Sequence, residues 1–234
     1  MKIITWNCNG ALRKKFEHLS DFDADIHVIQ ECEDPSQTKD FAYKQWAENH
    51  LWIGNNKNKG VGIFAGSHIK LERLDWSDLH NDNKVRSFLP CLVNNDFQLL
   101  GIWTHQNNSP NFRYIGQLWK YLQVNKQYFN KILLAGDFNS NTIWDEWDRW
   151  WNHSDVVKEL KELGIESSYH HYFQEEQGKE SRPTFFLHRN LLKPYHIDYV
   201  FGSQEFTNSL NELEIGKPEQ WLNISDHLPL IVKF

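Results

Sequence analysis

The chain is poor in sulfur. Its 234 residues include three cysteines and one methionine, and Cys8, Cys32 and Cys91 share no CxxC spacing. That argues against both a disulfide framework and a cysteine zinc site. Cys8 and Cys32 each adjoin polar residues of interest; they read as small core fillers, with a reactive thiol near a site as the alternative. No apolar run is long enough to span a bilayer. The opening MKIITWNCNG has too short an apolar stretch for a signal peptide, so a cytoplasmic protein with no membrane partner is expected. Repeats, low-complexity tracts and linkers rich in Pro, Gly and Ser are all missing, which points to one domain over 1–234 and a monomer. Positive charge is short as well. A net charge of −6 argues against a protein that coats nucleic acid by electrostatics alone. It leaves a nuclease open, because a bound divalent cation or a local basic patch reverses the potential at a site.

What is present is enough apolar surface for a core: 40% hydrophobic and 15% aromatic residues, with eleven Trp, so disorder is not expected. Short β-like runs recur at Ile3–Trp6, Ile26–Ile29, Val61–Ala65, Phe88–Val93, Gln98–Thr104, Ile132–Ala135, Ile197–Phe201 and Leu230–Phe234. A helical pattern from Phe112 to Phe129 places Phe112, Ile115, Leu118, Trp119 and Leu122 on one face. Ser154 reads as the N-cap of a second helix that ends at Gly164. Mixed strands and helices without a boundary predict one α/β domain, in which two packed sheets accommodate so many strands.

The most informative stretch is Lys131–Asn139, KILLAGDFN. A buried strand stops at Gly136 and is followed by a carboxylate, Asp137, and an amide, Asn139. Gly-Asp-x-Asn also suits a plain turn. The same construction recurs, however. Ile3–Trp6 ends in Asn7-Cys8-Asn9-Gly10, the second strand ends in Gln30-Glu31, and a middle strand ends in His105-Gln106-Asn107. His196-Ile197-Asp198-Tyr199 opens a later strand, and Ser225-Asp226-His227 precedes the last. Singly, each has a bland explanation: a turn, an exposed strand end, a core histidine, a cap. Their shared placement calls for a single one. Hydrolysis of a phosphate ester needs a hard cation on oxygen ligands, a positioned water and donors to the developing charge. There is no HxH or HExxH spacing, and carboxylate and amide oxygens favour Mg²⁺ or Mn²⁺ over zinc. A histidine beside a buried carboxylate would keep its proton and present it to phosphate oxygen.

Together these motifs resemble the endonuclease/exonuclease/phosphatase superfamily, which includes exonuclease III, deoxyribonuclease I, sphingomyelinases and inositol polyphosphate 5-phosphatases. The matching segments are Trp6-Asn7-Cys8-Asn9-Gly10, Gln30-Glu31, Gly136-Asp137-Phe138-Asn139, Ile197-Asp198-Tyr199 and Ser225-Asp226-His227, in the family's order and over almost the whole chain. The resemblance implies a four-layer α-β-β-α sandwich of two mixed sheets, deoxyribonuclease I-like. It implies that Glu31 is the principal metal ligand, with Asn7 and Asp226 near the metal. By the same resemblance Asp137 would orient or deprotonate the attacking water, Asn139 would hold a phosphate oxygen, and Asp198 would buttress His227, which would contact the scissile phosphate. His105 resembles the second histidine of the deoxyribonuclease and sphingomyelinase branches, where the exonuclease III branch has a tyrosine. Ala11 interrupts an Asn-Gly-Leu-Arg run common in that branch, and His196 stands where it usually has Arg.

The substrate is less legible. Ser181–Leu187 with Tyr195 resembles the segment lining the abasic-sugar pocket of the exonuclease III branch, or else Phe185 and Phe186 belong to an ordinary strand. Asn9, Arg113, Phe186, Tyr195 and His196 are the candidate substrate contacts. Arg13, Lys14 and Lys15 are further phosphate candidates or a solvated charge run. Trp144, Trp147, Trp150 and Trp151 could stack on bases, or Trp144, Trp147 and Trp151, at helical spacing, form a core face; the core face is the expectation. The leading function is a Mg²⁺- or Mn²⁺-dependent phosphodiester hydrolase acting on nucleic acid, most simply DNA, at abasic sites or 3′ ends. The alternatives are a phosphatase or phosphodiesterase of a small nucleotide, sugar or inositol phosphate, and a binding module without catalysis.

Overall fold

The computed structural model describes residues 1–106 and 111–234; Asn107, part of the border after the middle strand, lies outside the described residues. Two six-stranded sheets form the centre. The first contains β1 (Lys2–Asn7), β2 (Ile26–Cys32), β3 (His50–Asn56), β4 (Lys59–Ala65), β15 (Glu212–Ile215) and β16 (Leu230–Lys233). The second contains β5 (Leu71–Arg73), β8 (Phe88–Val93), β9 (Phe97–Trp103), β10 (Ile132–Asp137), β11 (Ile165–Ser167) and β14 (Asp198–Ser203). Two short ladders, β6 (Leu79–His80) with β7 (Asn83–Lys84) and β12 (Phe185–Phe186) with β13 (Pro194–Tyr195), lie outside them. The helices are α1 (Phe41–Trp46), α2 (Ile115–Asn125), α3 (His153–Glu162), α4 (Ser168–Phe173), α5 (Gln204–Ser209) and α6 (Pro218–Trp221).

The sheets repeat one plan. Their orders are β15-β16-β1-β2-β4-β3 and β11-β14-β10-β9-β8-β5. In each, a central strand runs parallel to one neighbour and antiparallel to the other: β1 between β2 and β16, β10 between β9 and β14. The C-terminal ends of β1 and β10 therefore come to the same edge of the molecule, which sets the site.

Strand alternation divides the apolar residues between layers. Along β10, Leu133 and Ala135 join Ile3, Val28, Leu99 and Val232 between the sheets, while Ile132 and Leu134 face Leu118, Leu122, Val156 and Leu160 of α2 and α3. On the other outer face Ile4, Trp6 and Ile29 pack under Leu12, Phe16, Tyr43 and Trp221. Four layers result, as expected from the resemblance. All six residues of β10 are buried, which is why it reads in the sequence as an unbroken apolar run. Gly136 is required there: a Cβ would stand 1.9 Å from the carbonyl oxygen of Ile102 on β9. Any side chain would pry the two parallel strands apart just before Asp137.

The structure corrects some boundaries. The first long helix is shorter than Phe112–Phe129, running Ile115–Asn125 with a 3₁₀ turn over Lys126–Tyr128. The second is capped two residues earlier than Ser154, at Asn152: the Asn152 main-chain N–H donates to Asp155 at 2.8 Å, and Asp145 accepts from His153 and Ser154 N–H at 2.9 and 3.2 Å. The termination at Gly164 stands, with φ +72 suiting glycine. Among the described residues no helix is long and apolar enough to cross a membrane.

Candidate active site

Each polar border sits where a strand runs out. Asn7 ends β1, Asp137 ends β10, Asp198 opens β14, and Asp137 and Asp198 are direct partners across the β10–β14 ladder. Glu31 lies at a bulge in β2, between Gln30 and Cys32, with φ +59. A bulge re-aims a side chain, and here it brings Glu31 towards Asn7. His227 precedes β16; its segment is pinned by Ser225, whose Oγ donates to the Asn7 carbonyl at 2.7 Å and accepts from His227 N–H at 3.1 Å. Trp6 Nε1 donates to the His227 carbonyl at 3.0 Å.

Asp137 is fully buried and encircled by donors. Asn7 Nδ2 donates to its Oδ2 at 2.9 Å, Asn139 Nδ2 to the same oxygen at 2.8 Å, and the Asn139 main-chain N–H to Oδ1 at 2.8 Å. His227 Nδ1 lies 2.9 and 3.1 Å from the two oxygens of Asp198, and its Nε2 lies 3.9 Å from Asp137 Oδ2. Asp198 is fixed in turn, its N–H donating to Thr184 Oγ1 at 3.0 Å. Burial pushes the Asp137 carboxyl up to about 7, against the opposing charge of His227. Burial alone would strip His227 of its proton, but Asp198 and Asp137 outweigh it and hold the imidazole at about 9. At neutral pH the site therefore offers a cationic imidazolium beside a carboxylate poised to exchange a proton.

Glu31 Oε1 lies 3.5 Å from Asn7 Nδ2, and Asn9 links Asn7 to Asp226, its N–H on Asn7 Oδ1 at 3.0 Å. Glu31, Asn7 and Asp226 give an all-oxygen donor set suited to a hard cation, and the left-handed bulge at Glu31 turns its carboxylate inward. Lys59 Nζ meets Glu31 Oε2 at 2.5 Å, putting positive charge where such a cation would bind. Asp226 accepts from Asn9 Nδ2 at 3.0 Å. Ligand atoms of Asp137, Asp198 and His227 also lie within 4.8 Å of one another. That trio suits proton transfer better than metal binding, because both Asp198 oxygens face His227 Nδ1 and Asp137 is already surrounded by N–H donors.

Several expected contacts sit elsewhere. Asn139 has both amide hydrogens engaged, on Asp137 and on the Thr104 carbonyl at 2.9 Å. His196 is buried, its Nδ1 on the Arg182 carbonyl at 2.8 Å and its ring against Tyr169 and Tyr199. Phe186 faces the Trp6 core; its neighbour Phe185, on the opposite face of β12, is the ring that meets His227, at 4.6 Å. Tyr195 and Arg113 line a cavity that also contains Asn139. His105 bonds Ser87 Oγ at 3.1 Å and is near enough to Glu31 to feel its charge. Arg13 is paired with Glu33 at 2.7 Å, and Lys15 donates to the Cys8 carbonyl at 2.6 Å. Burial pushes the Cys8 thiol up to about 12 and Cys32 well above its ordinary value, removing the reactive-thiol alternative. The Trp segment is no core face: Trp144, Trp147 and Trp150 are exposed, and only Trp151 packs on the helical layer. Lys59 and Thr104 were not singled out from sequence, and Thr184 and Phe185 only as part of Ser181–Leu187; alternation along a strand puts Phe185 and Phe186 on opposite faces but does not say which one meets His227.

Compared as a sequence, the chain matches no family model and no curated protein. Compared as a structure, it is similar to a 3′ phosphatase from Neisseria bound to product DNA hairpin, with TM-score 0.75, 21% identity, and 100% and 99% of the two chains covered. It is also similar to an AP endonuclease from Archaeoglobus fulgidus (TM-score 0.75, 17% identity, 100% and 99% covered). A third is the AP endonuclease LMAP of Leishmania major (TM-score 0.66, 14% identity, 99% and 86% covered). What the chain shares with all three is the fold, a deoxyribonuclease I-like sandwich of two mixed sheets.

Proposed function

We propose that the protein is a divalent-metal-dependent phosphodiester hydrolase acting on DNA at 3′ ends or abasic sites, as a single-domain monomer. The observation that carries this reading is the Asp198–His227–Asp137 constellation beside the oxygen donors of Glu31, Asn7 and Asp226. The likeness to structures whose names specify 3′ phosphatase and AP endonuclease action supports the choice of DNA.

Glu31, Asn7 and Asp226 would hold Mg²⁺ or Mn²⁺, which neutralises phosphate charge when bound. Asp198 keeps the Nδ1 proton on His227 and so presents Nε2–H to a phosphate oxygen. Asp137, raised to about 7, takes a proton from the attacking water at neutral pH. Asn7 and Asn139 hold its carboxylate in one rotamer, so the water's approach is set before substrate arrives. His105, anchored on Ser87, would stand at the rim.

A panel tests this: abasic duplex, 3′-phosphorylated duplex, single strand, plasmid and small phosphate esters, each with Mg²⁺, Mn²⁺ or EDTA, and Asp137→Ala as the blank. Metal-dependent cleavage of DNA that is lost in the blank is expected. Turnover of small esters with no DNA cleavage would overturn the choice of DNA, and absence of all turnover would overturn the enzyme reading.

A further inference from the structure

Beside Asn139 opens a cavity of about 1040 Å³ between two aromatic walls. One wall is a run of ring contacts that starts at the catalytic imidazole. His227 meets Phe185 at 4.6 Å, Phe185 meets Tyr195 at 6.3 Å, and Tyr195 meets Trp144 at 5.1 Å between centroids. The other wall is Trp150 and Trp151, each against Phe112, at 6.2 and 5.1 Å. Trp144 and Trp150 remain 43% and 62% exposed. Two exposed indoles lining one cleft are unfilled stacking surface.

The charge around the cleft says which part of a nucleic acid belongs there. Asp145, Glu146, Asp148 and Arg149 also line the cavity, three carboxylates against one guanidinium. The guanidinium is occupied: Arg149 pairs with Glu146 and stands over the Trp151 ring at 4.3 Å. Asp145 is locked onto the first N–H groups of α3, so the rim keeps its shape and its sign. A duplex lying across this rim would set its phosphates against carboxylates. A neutral, planar base meets indole faces instead. The volume agrees, standing at the top of the roughly 300–1,000 Å³ usual for small-molecule sites and exceeding what a base-free sugar fills.

Resting on the phosphodiesterase reading, we infer that this cleft seats one or two unpaired nucleobases adjoining the scissile phosphate, stacked on Trp144 and Trp150, so that the protein prefers single-stranded or frayed ends to continuous duplex. Trp147 supplies an internal control. It belongs to the same loop, is 97% exposed, and does not line the cavity.

The test is fluorescence anisotropy with a labelled oligothymidylate and a blunt duplex of equal length, both in EDTA. The intact protein is compared with Trp144→Leu, Trp150→Leu, Trp144→Tyr and Trp147→Leu. The expected result is tighter binding of the single strand, with a loss of about five- to a hundredfold for each Leu variant of the cleft. Trp147→Leu should bind as the parent does, and Trp144→Tyr, which keeps a stacking face, should retain most of the affinity. Equal losses for single strand and duplex, a loss confined to Trp147→Leu, or a parent that favours duplex would each overturn the inference. No turnover enters the measurement, so failure of the hydrolase reading in the substrate panel stays distinguishable from failure here.

Discussion

Asp137 and Asp198 face each other across the β10–β14 ladder, and one imidazole, His227, reaches towards both. Two buried carboxylates so placed repel, and the imidazolium makes the arrangement tenable. Asp198 also fixes which nitrogen carries the proton turned towards substrate. Asp198→Asn keeps the shape and removes that control. It is expected to lower kcat by about three orders of magnitude or more, as loss of the orienting carboxylate does in other Asp–His pairs, with KM little changed. The basic limb of the pH–rate profile should move down, because His227 loses the charge that raised it. Initial rates on an abasic or 3′-phosphorylated oligonucleotide across pH 5–10 measure both.

The same pair makes stability depend on pH. His227 is raised from its unfolded value of 6.5 to about 9, so the folded state holds a proton that the unfolded state has lost. Its contribution is fully present below 6.5 and disappears as pH rises through about 9. In EDTA the urea midpoint should fall over this window, by a few kcal/mol in free energy at most, and His227→Asn should flatten the fall. Asp137, raised from 3.8 to about 7, has the same sign in a lower window, its contribution being lost as pH rises from about 4 through 7. A midpoint that climbs between pH 7 and 9 would contradict the assignment.

Asn139 separates a positioning role from a binding one. Asn139→Ala removes one donor from Asp137 Oδ2 and leaves the buried Thr104 carbonyl without its amide partner. A destabilisation of about 1–3 kcal/mol is expected. Asp137 should be pushed further up, carrying the acid limb of the rate profile to higher pH, and kcat should fall by one to two orders of magnitude, as for mispositioned catalytic groups. A phosphate contact would raise KM and leave that limb in place.

Lys59 is paired with Glu31. Its ammonium lies against the carboxylate that a divalent cation would use. Lys59→Met is expected to bind Mg²⁺ or Mn²⁺ several-fold more tightly by titration calorimetry, through relief of like-charge repulsion. Weaker binding would show that the lysine supports the site instead.

The central strands were legible because they are buried on both faces. Ile132–Ala135 and Phe88–Val93 announce themselves as apolar runs. His50–Asn56, Leu71–Arg73, Ile165–Ser167 and Glu212–Ile215 did not, being edge or near-edge strands with exposed polar residues. Residue types at the site could be read from strand borders, but not what each side chain is bonded to. That Asn139 turns to Asp137, or that Phe185 and not Phe186 meets His227, depends on partners tens of residues away. The Trp segment misled through its helical spacing. Asn141 accepts from Ile143 N–H at 3.1 Å and starts a single 3₁₀ turn, after which Asp145 is bound to α3 and the indoles are left outside.

The bond from Asn7 to Asp137 joins the end of β1 to the end of β10, and His227 to Asp198 likewise links one sheet to the other. On the proposed function, the reaction centre is thus a seam whose two lips belong to separate halves of the molecule. Activity becomes a gauge of how well the halves are docked. A slide of one sheet over its partner by about 1 Å would cost on the order of a hundredfold in rate while every helix and strand stayed intact. Loosening of the Leu133–Val28–Val232 layer should therefore silence the protein well before it unfolds.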